Sequence, residues 1–151
     1  MSKIEPAVLK PDEGQTFDAG PFHLLTRVTG EQTGGAYELY DLIFAPGSVD
    51  YHIHRNMDET ILVVEGEVEF LVAGEKFIRT AGSAVFAPRG VHHGFINHGP
   101  HPVRVFLIFN PASSQNEFFA ELVRIFKDGA PDLAALKAAQ AKYDQELVPF
   151  P

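Results

Sequence analysis

Short apolar runs alternate with turn-forming residues from Phe22 to Phe109. Turns such as Pro46-Gly47 and His98-Gly99-Pro100 separate these runs, and their residues tolerate positive φ or preset a turn. Many short strands at this spacing are typical of a β-sandwich or barrel, and not of alternating strands and helices. The predicted strands are Phe22–Val28, Ala36–Phe44, Glu59–Val64, Val68–Val72, Lys76–Thr80, Ser83–Ala87, His92–Ile96 and Val103–Phe109.

The hydrophobic period changes to that of a helix after residue 113. Ser114 and Glu117 have the spacing of a capping box, in which each side chain satisfies a free amide at the helix start. Gly129 is expected to end this first helix, and Pro131-Asp132 to begin a second. The apolar face of the first comprises Phe118, Phe119, Leu122, Ile125 and Phe126, and that of the second comprises Leu133, Leu136, Tyr143 and Leu147.

These patterns predict a single domain, since the chain has no internal repeat, low-complexity tract or linker. We divide it into an N-terminal arm (1–20), a β-barrel (21–112) and a helical extension packed on the barrel (113–151). The two helices are expected to cover a barrel face or to pack at a dimer contact. A role as a lid over a binding site is the alternative.

The composition of the chain argues against several classes of partner and cofactor. The formal net charge of −8 argues against nucleic acid and anionic membranes as partners, because both attract a positive face. The absence of Cys excludes disulfides, iron–sulfur clusters and thiolate zinc sites. The first ten residues lack the apolar stretch of a signal peptide, and no segment is apolar enough to span a membrane. We therefore expect a cytoplasmic protein with a small-molecule partner.

One polar segment carries the chemistry that can bind a metal. His52 and His54 lie two residues apart, so on an extended strand both imidazoles point to the same face. Glu59 would face the other way in an unbroken strand. Arg55-Asn56-Met57 is not strand-like, and we interpret it as a turn that resets the register and brings Glu59 inward. Asp58, beside Glu59, is an alternative ligand by residue type alone.

A second segment, residues 82–97, adds a further histidine. Gly82 and Pro88-Arg89-Gly90 frame a strand and a sharp turn, after which His93 and Asn97 follow. His92 would face the opposite side of a strand from His93, so only one of the two can be a ligand. The remaining histidines, His23, His98 and His101, are interpreted as surface or hydrogen-bonded residues.

Together the two segments resemble the paired signatures of cupins. In the first signature, Gly47 precedes the His52-x-His54 pair, Glu59 follows after four residues, and Gly66 follows after six more. In the second, Gly82 is followed after five residues by Pro88-x-Gly90, then after two residues by His93, and after three more by Asn97. Four residues instead of five separate Gly47 from His52. The resemblance implies an all-β fold, the cupin double-stranded β-helix or jelly-roll barrel, here followed by two C-terminal α-helices.

By this resemblance the metal ligands are His52, His54, Glu59 and His93, and the signature spacing favours Glu59 over Asp58 and His93 over His92. Three imidazoles and a carboxylate also suit one divalent transition metal ion (Fe, Mn, Ni, Co or Zn) and leave coordination positions open for a substrate.

A narrower resemblance covers nearly the whole chain. The runs TGGAYELYDLIFAPG, HIHRNMDE, PRGVHHGF and FFAEL are similar to small bacterial single-domain cupins of the quercetin 2,3-dioxygenase-like type. This resemblance implies oxidative ring opening of a flavonol or a similar hydroxylated aromatic, with Glu59 as both ligand and catalytic base. It also implies a homodimer. A metal-dependent isomerase, lyase or decarboxylase and a non-enzymatic binding protein are the two other hypotheses.

Strand alternation predicts the walls of a substrate pocket. Ile61 and Val63 share the parity of Glu59, and Phe95 shares that of His93, so these side chains should line the barrel interior. Tyr40 and Phe106 lie on strands that are apolar on both faces and are added as further wall residues. Core packing is the alternative for each of the five.

Overall fold

The computed structural model describes residues 4–151, and the chain forms two antiparallel sheets and two helices. The helices are α1 (Gln115–Ile125) and α2 (Leu133–Lys142). The strands are β1 (Thr16–Ala19), β2 (Phe22–Val28), β3 (Glu38–Phe44), β4 (Gly47–Ile53), β5 (Asp58–Glu65), β6 (Glu67–Val72), β7 (Glu75–Thr80), β8 (Ala84–Ala87), β9 (His93–Asn97), β10 (Val103–Asn110) and β11 (Glu146–Leu147).

Strand order gives the two sheets the crossed connections of a jelly roll. The six-stranded sheet has the order β1-β2-β3-β10-β5-β8, and the five-stranded sheet has the order β11-β4-β9-β6-β7. In both sheets, strands that are distant in sequence lie side by side. For example, β10 lies between β3 and β5. The predicted jelly-roll barrel with two C-terminal helices is therefore confirmed.

The core lies inside the barrel and follows the alternation of the strands. On β10 the odd-numbered residues, including Val105, Leu107 and Phe109, are buried, whereas Arg104 and Phe106 are half-buried on the other face. Buried aromatic rings join the two sheets: Phe44 of β3 packs edge-on against Phe95 of β9, with ring centroids 5.6 Å apart. The core continues from the sheets into the C-terminal extension.

Three strands were not predicted. β1 lies within the predicted N-terminal arm and pairs with β2, from Thr16 opposite Leu25 to Ala19 opposite Phe22. Residues 1–3 of that arm lie outside the described part of the chain. β4, which carries His52, was recognised only as an extended segment, and the two-residue β11 lies in the predicted helical extension. Each of these strands is short or largely polar, so its hydrophobic pattern is weak.

The predicted capping box at α1 is wrong. Ser114 has a left-handed backbone (φ 58°), and its side chain makes no capping hydrogen bond. The carboxylate of Glu38, on β3, instead accepts hydrogen bonds from the amides of Ser113 (2.9 Å) and Gln115 (3.3 Å). A negative charge at this end of a helix is favourable because the free amides give it a partial positive charge.

The second helix begins as predicted but the first ends early. Asp132 caps α2, its Oδ1 accepting a hydrogen bond from the amide of Ala134 at 2.9 Å. α1 ends at Ile125, four residues before Gly129. The described helices include none long and apolar enough to cross a membrane.

The extension packs on the six-stranded sheet through aromatic side chains. Phe119 of α1 meets Tyr40 of β3 edge-on at 4.8 Å and Phe17 of β1 at 6.0 Å between ring centroids. Phe118 and Leu122 are also buried. α1 and α2 therefore form part of the same core, and they lie over one end of the barrel interior.

Candidate metal centre

Four buried side chains, three on strands and one just after a strand, meet in the barrel interior. His52 lies near the end of β4 and faces His93, the first residue of β9, in the strand pairing. His54 follows the last residue of β4, and Glu59 is the second residue of β5. The bend at Arg55 and Asn56 separates these two segments, as predicted. One ligand atom from each of the four lies within 4.8 Å of all the others.

The donor atoms converge closely. Nε2 of His54 lies 3.1 Å from Nε2 of His52 and 3.0 Å from Oε2 of Glu59, which in turn lies 2.7 Å from Nε2 of His93. All four side chains are buried, with residue exposures of 2–4%. Buried polar groups in such proximity are typical of a site that holds a cation.

Hydrogen bonds on the outer nitrogens orient all three rings. Nδ1 of His52 lies 2.5 Å from the carbonyl oxygen of Asp50, Nδ1 of His54 2.7 Å from that of Asp144, and Nδ1 of His93 2.9 Å from that of Val91. A carbonyl oxygen only accepts, so each Nδ1 must carry the proton. This arrangement leaves each Nε2 to provide a lone pair toward the centre, which is the usual state of a metal-binding histidine.

Electrostatics favour the metal-binding forms of two ligands. Burial alone would raise the pKa of Glu59, but the close contacts of its carboxylate with the His54 and His93 rings outweigh burial and hold this pKa well below its usual range. Burial, with the neighbouring His93 and His54, lowers the pKa of His52 to about 3. Burial also acts downward on the pKa of His54, but the adjacent negative carboxylate of Glu59 raises this pKa overall. At neutral pH Glu59 is therefore a carboxylate and His52 is a neutral imidazole.

The structure separates the competing residues from this cluster. His92 is exposed, with its ring packed edge-on against Tyr51. The carboxylate of Asp58 accepts hydrogen bonds from Arg89, from the amide at 2.8 Å and from Nε at 3.0 Å, and these lower the pKa of Asp58 to about 2. Asn97, the last residue of the second signature, ties a turn together by donating to the carbonyl oxygens of Phe44 and His101.

Gly94 is a residue that sequence analysis did not single out. A Cβ atom at this position would lie 2.8 Å from the carbonyl oxygen of Val49 and 3.1 Å from that of Asp50. The carbonyl oxygen of Asp50 is also the partner of His52. Glycine therefore lets β9 approach β4 closely where the two strands carry His93 and His52.

A cavity of about 320 Å³ opens onto the cluster. It borders His52, His54 and Glu59, and its wall comes from both sheets and both helices. Most of the wall is apolar. The apolar side chains are Pro21, Phe22, Leu24, Leu42, Val49, Phe95, Leu107, Phe109, Phe118, Phe119, Leu122, Phe126, Leu133 and Leu136.

Only one of the five predicted pocket residues, Phe95, borders this cavity. Ile61 and Val63 are buried in the core and do not border the cavity. Tyr40 is fully buried, and its hydroxyl hydrogen-bonds to Oδ1 of Asn116 at 2.9 Å. Phe106 lies on the outer face of β10, where its ring lies 5.4 Å from the Arg104 guanidinium.

Polar wall residues missed by sequence analysis come mainly from the extension. Gln115 of α1, Gln140 of α2 and Gln145, just before β11, border the cavity and are buried. Nε2 of Gln140 donates to Asp50 at 3.3 Å, whereas its Oε1 is the buried side-chain oxygen without a hydrogen-bond partner within residues 4–151. Nothing in the local sequence distinguishes these glutamines from ordinary helix-surface residues.

Two curated proteins are similar to this chain in sequence. Quercetin 2,3-dioxygenase of Bacillus subtilis is 28% identical over 91 residues, 60% of this chain and 27% of that protein. Polyketide synthase CurC of Streptomyces cyaneus is 34% identical over 115 residues, 74% of this chain and 73% of that protein. The chain thus spans about a quarter of the dioxygenase and nearly three quarters of CurC.

Solved structures share the fold. KdgF from Halomonas sp. has a TM-score of 0.66 at 20% identity, covering 74% of this chain and 99% of its own. The polyketide cyclase RemF from Streptomyces resistomycificus has a TM-score of 0.62 at 18% identity, covering 70% and 80%. A family model for the cupin domain matches residues 41–109, the range that contains all four clustered side chains, and their arrangement fits a cupin metal site. On this fold, site and sequence similarity, the chain belongs to the cupin family.

Proposed function

We propose that this cupin is an enzyme that holds one divalent transition metal ion and acts on a small hydroxylated aromatic or enol substrate. The observation that carries the proposal is that three of the four clustered ligands border an apolar cavity large enough for such a molecule. His52, His54, His93 and Glu59 would hold the metal, which suits Fe, Mn, Co, Ni or Zn. When bound, it would supply Lewis acidity and, if redox-active, dioxygen chemistry.

The charges on the wall favour a substrate without a phosphate group. The wall residues described here include no Lys or Arg, and the acidic ones are Asp50 and Glu59. The metal ion would be a partner for one anionic group bound directly to it, but a phosphate elsewhere in so apolar a cavity would need a further cationic partner, which these wall residues do not offer. An aromatic ring with hydroxyl groups instead matches the apolar side chains, and a hydroxyl would give the free Oε1 of Gln140 a hydrogen-bond donor.

Glu59 is the candidate base. Its Oε2 is held between His54 and His93, and the residue borders the cavity, so a substrate hydroxyl can reach the carboxylate. Its low pKa keeps the group ionised at neutral pH but makes it a weak base, so proton transfer to it would rely on a bound metal ion that makes the substrate hydroxyl more acidic. Exclusion of water by the surrounding apolar side chains strengthens each of these polar interactions.

Dioxygenase activity of the quercetinase type is the leading form of this proposal. It is supported by the similarity to quercetin 2,3-dioxygenase and by the apolar character of the cavity. In the overall reaction a flavonol and dioxygen would give a ring-opened ester and carbon monoxide.

The test of the leading form is to load metal-free protein with Fe, Mn, Co or Ni and to measure dioxygen uptake with a panel of flavonols. Glu59→Gln should lower turnover more than metal content, because an amide cannot accept the proton. Glu65→Gln, at the exposed far end of β5, is the matched control and should retain activity. No uptake with any metal would refute the dioxygenase assignment, and full activity of Glu59→Gln would refute its role as base.

A second candidate is a metal-dependent reaction without dioxygen, such as isomerisation, elimination by a lyase, decarboxylation or cyclisation of an enol. The observation that favours it is the similarity to CurC, which extends over about three quarters of both chains. Turnover of a polyphenolic or enolic substrate under strict anaerobiosis would support this candidate over the dioxygenase. Stoichiometric binding without turnover, in air or without it, would indicate a non-enzymatic binding protein.

We also propose, from the resemblance to small cupins, that the protein is a cytoplasmic homodimer. Light scattering on the purified protein tests the dimer, since one chain has a mass of 16.6 kDa. A mass of a single chain at micromolar concentration would refute it.

A further inference from the structure

The end of the chain lies against the strand that carries the metal ligands. We call residues 144–147 the C-terminal hook. Its strand β11 pairs antiparallel with the end of β4, Glu146 opposite Ile53 and Leu147 opposite His52. Beyond the hook, the amide of Val148 donates to the carbonyl oxygen of Tyr51 at 3.1 Å. The hook is therefore the edge strand next to β4.

Asp144 joins the hook to the loop that follows β4. Its carboxylate accepts hydrogen bonds from the amides of Arg55 (2.8 Å) and Asn56 (2.9 Å). Its own carbonyl oxygen accepts from Nδ1 of His54 at 2.7 Å. Asp144 has a left-handed backbone (φ 62°), a conformation that Asp and Asn tolerate better than most residues.

His54 differs from the other two histidines in where its partner comes from. The carbonyl groups that orient His52 and His93 belong to residues two positions earlier, so each is set by its own local backbone. His54 lies beyond the last residue of β4, and its carbonyl partner is 90 residues away in sequence. Without the hook, the outer nitrogen of His54 would have no protein acceptor to fix the ring.

We propose that Asp144 is a positioning residue for the metal centre, and that the C-terminal hook sets the ring orientation and tautomer of His54. The carboxylate of Asp144 anchors the hook on the loop at residues 55–56. This contact places the carbonyl oxygen of Asp144 within hydrogen-bond distance of Nδ1 of His54. The inference rests on the proposed metal binding, because the orientation of His54 matters only if its Nε2 is a ligand.

The experiment measures the affinity of the full-length protein for Zn²⁺ by competition with a chromophoric chelator. Asp144→Ala removes the carboxylate and places Ala in an unfavourable backbone conformation, so we expect about tenfold weaker binding. Asp144→Asn keeps one acceptor oxygen and the tolerance for the left-handed backbone, and should recover most of the affinity. Lys142→Gln is the matched control, because it removes an exposed pair with Glu121 and a contact with the Tyr143 ring but leaves the Asp144 carboxylate in place, and it should bind like the wild type.

A second readout separates positioning from general destabilisation. The proton on Nδ1 of His54 in the Zn²⁺-loaded protein, followed by nuclear magnetic resonance of ¹⁵N-labelled histidine, should exchange with water faster in Asp144→Ala and not in Lys142→Gln. Unchanged affinity and exchange in Asp144→Ala would overturn the inference while metal binding stands. Absence of Zn²⁺ binding by the wild type would overturn the proposed function as well.

Discussion

Replacing Glu38 by Ala tests how the C-terminal extension is held on the barrel. The carboxylate, 4% exposed, accepts hydrogen bonds from the amides of Ser113 and Gln115, which precede and begin α1, and from the hydroxyl of Tyr40 at 3.3 Å. The hydroxyl keeps a second partner in Asn116. The two amides have no other acceptor close at hand, so the substitution leaves them unsatisfied.

The expected loss follows from those two amides. An unsatisfied buried donor costs about 1–3 kcal/mol, and Ser113 is only half-buried, so Glu38→Ala should lower the free energy of unfolding by about 2–3 kcal/mol. Glu38→Gln keeps one acceptor oxygen but turns an NH₂ group toward donors, and should cost about 1 kcal/mol. Ser114→Ala should cost less than about 0.5 kcal/mol, because that side chain makes no capping hydrogen bond.

Urea unfolding of the metal-free protein, followed by far-ultraviolet circular dichroism, measures all three variants under one set of conditions. A capping box would give the opposite ranking, with Ser114→Ala costing about 1 kcal/mol. If Ser114→Ala is the more destabilising variant and Glu38→Ala is close to neutral, the carboxylate does not cap α1 and the account of this junction is refuted.

Three further predictions concern the metal centre and its surroundings. His54→Ala should sharply reduce metal content in elemental analysis of the purified protein, whereas His92→Ala should not; equal metal content in both would refute the ligand assignment. Gly94→Ala should destabilise the protein by about 1–3 kcal/mol, because its Cβ would meet two backbone carbonyls. Gly47→Ala is the control: the atoms nearest to its Cβ lie 3.4 Å or more away, so it should cost less in the same urea unfolding assay. Equal losses of stability in the two variants would contradict this explanation. Arg89 lowers the pKa of Asp58 from 3.8 to about 2, so the pair stabilises the fold above about pH 4 and this contribution is lost as the pH falls toward 2. Asp58→Asn should therefore be less stable than the wild type by about 1 kcal/mol at pH 7, a value reduced for the exposure of Arg89. The difference should shrink as the pH falls to about 2 and vanish below it. A difference independent of pH would show that the ion pair contributes nothing.

The sequence predicts most of the strands because apolar alternation is a short-range pattern, and it predicts the four clustered residues through the resemblance to the paired cupin signatures. Alternation of apolar residues marks which side of a strand faces the interior, and the His-x-His spacing places two imidazoles on one face. Glu59 required only that Arg55 and Asn56 break the strand, as they do. These inferences use distances of a few residues along the chain, over which backbone geometry is nearly fixed.

The cavity could not be predicted in the same way. Parity assigns Ile61 to the interior, but it does not tell which interior side chains border a cavity, and Ile61 is buried in the core without bordering it. The residues Phe119 and Gln140 reach the wall only because α1 and α2 fold back over the barrel. The cap of α1 fails for a related reason: Ser114 fits a local motif, but Glu38, 75 residues before Ser113, supplies the acceptor.

The position of β10 also determines when the fold can form during synthesis. β10 inserts between β3 and β5, so the six-stranded sheet is divided into two unconnected halves until residues 103–110 have left the ribosome. Chains are made from the N-terminus, and contacts between distant segments form slowly. A nascent chain that already carries His52, His54 and Glu59 but not yet β10 therefore has no complete six-stranded sheet to enclose them.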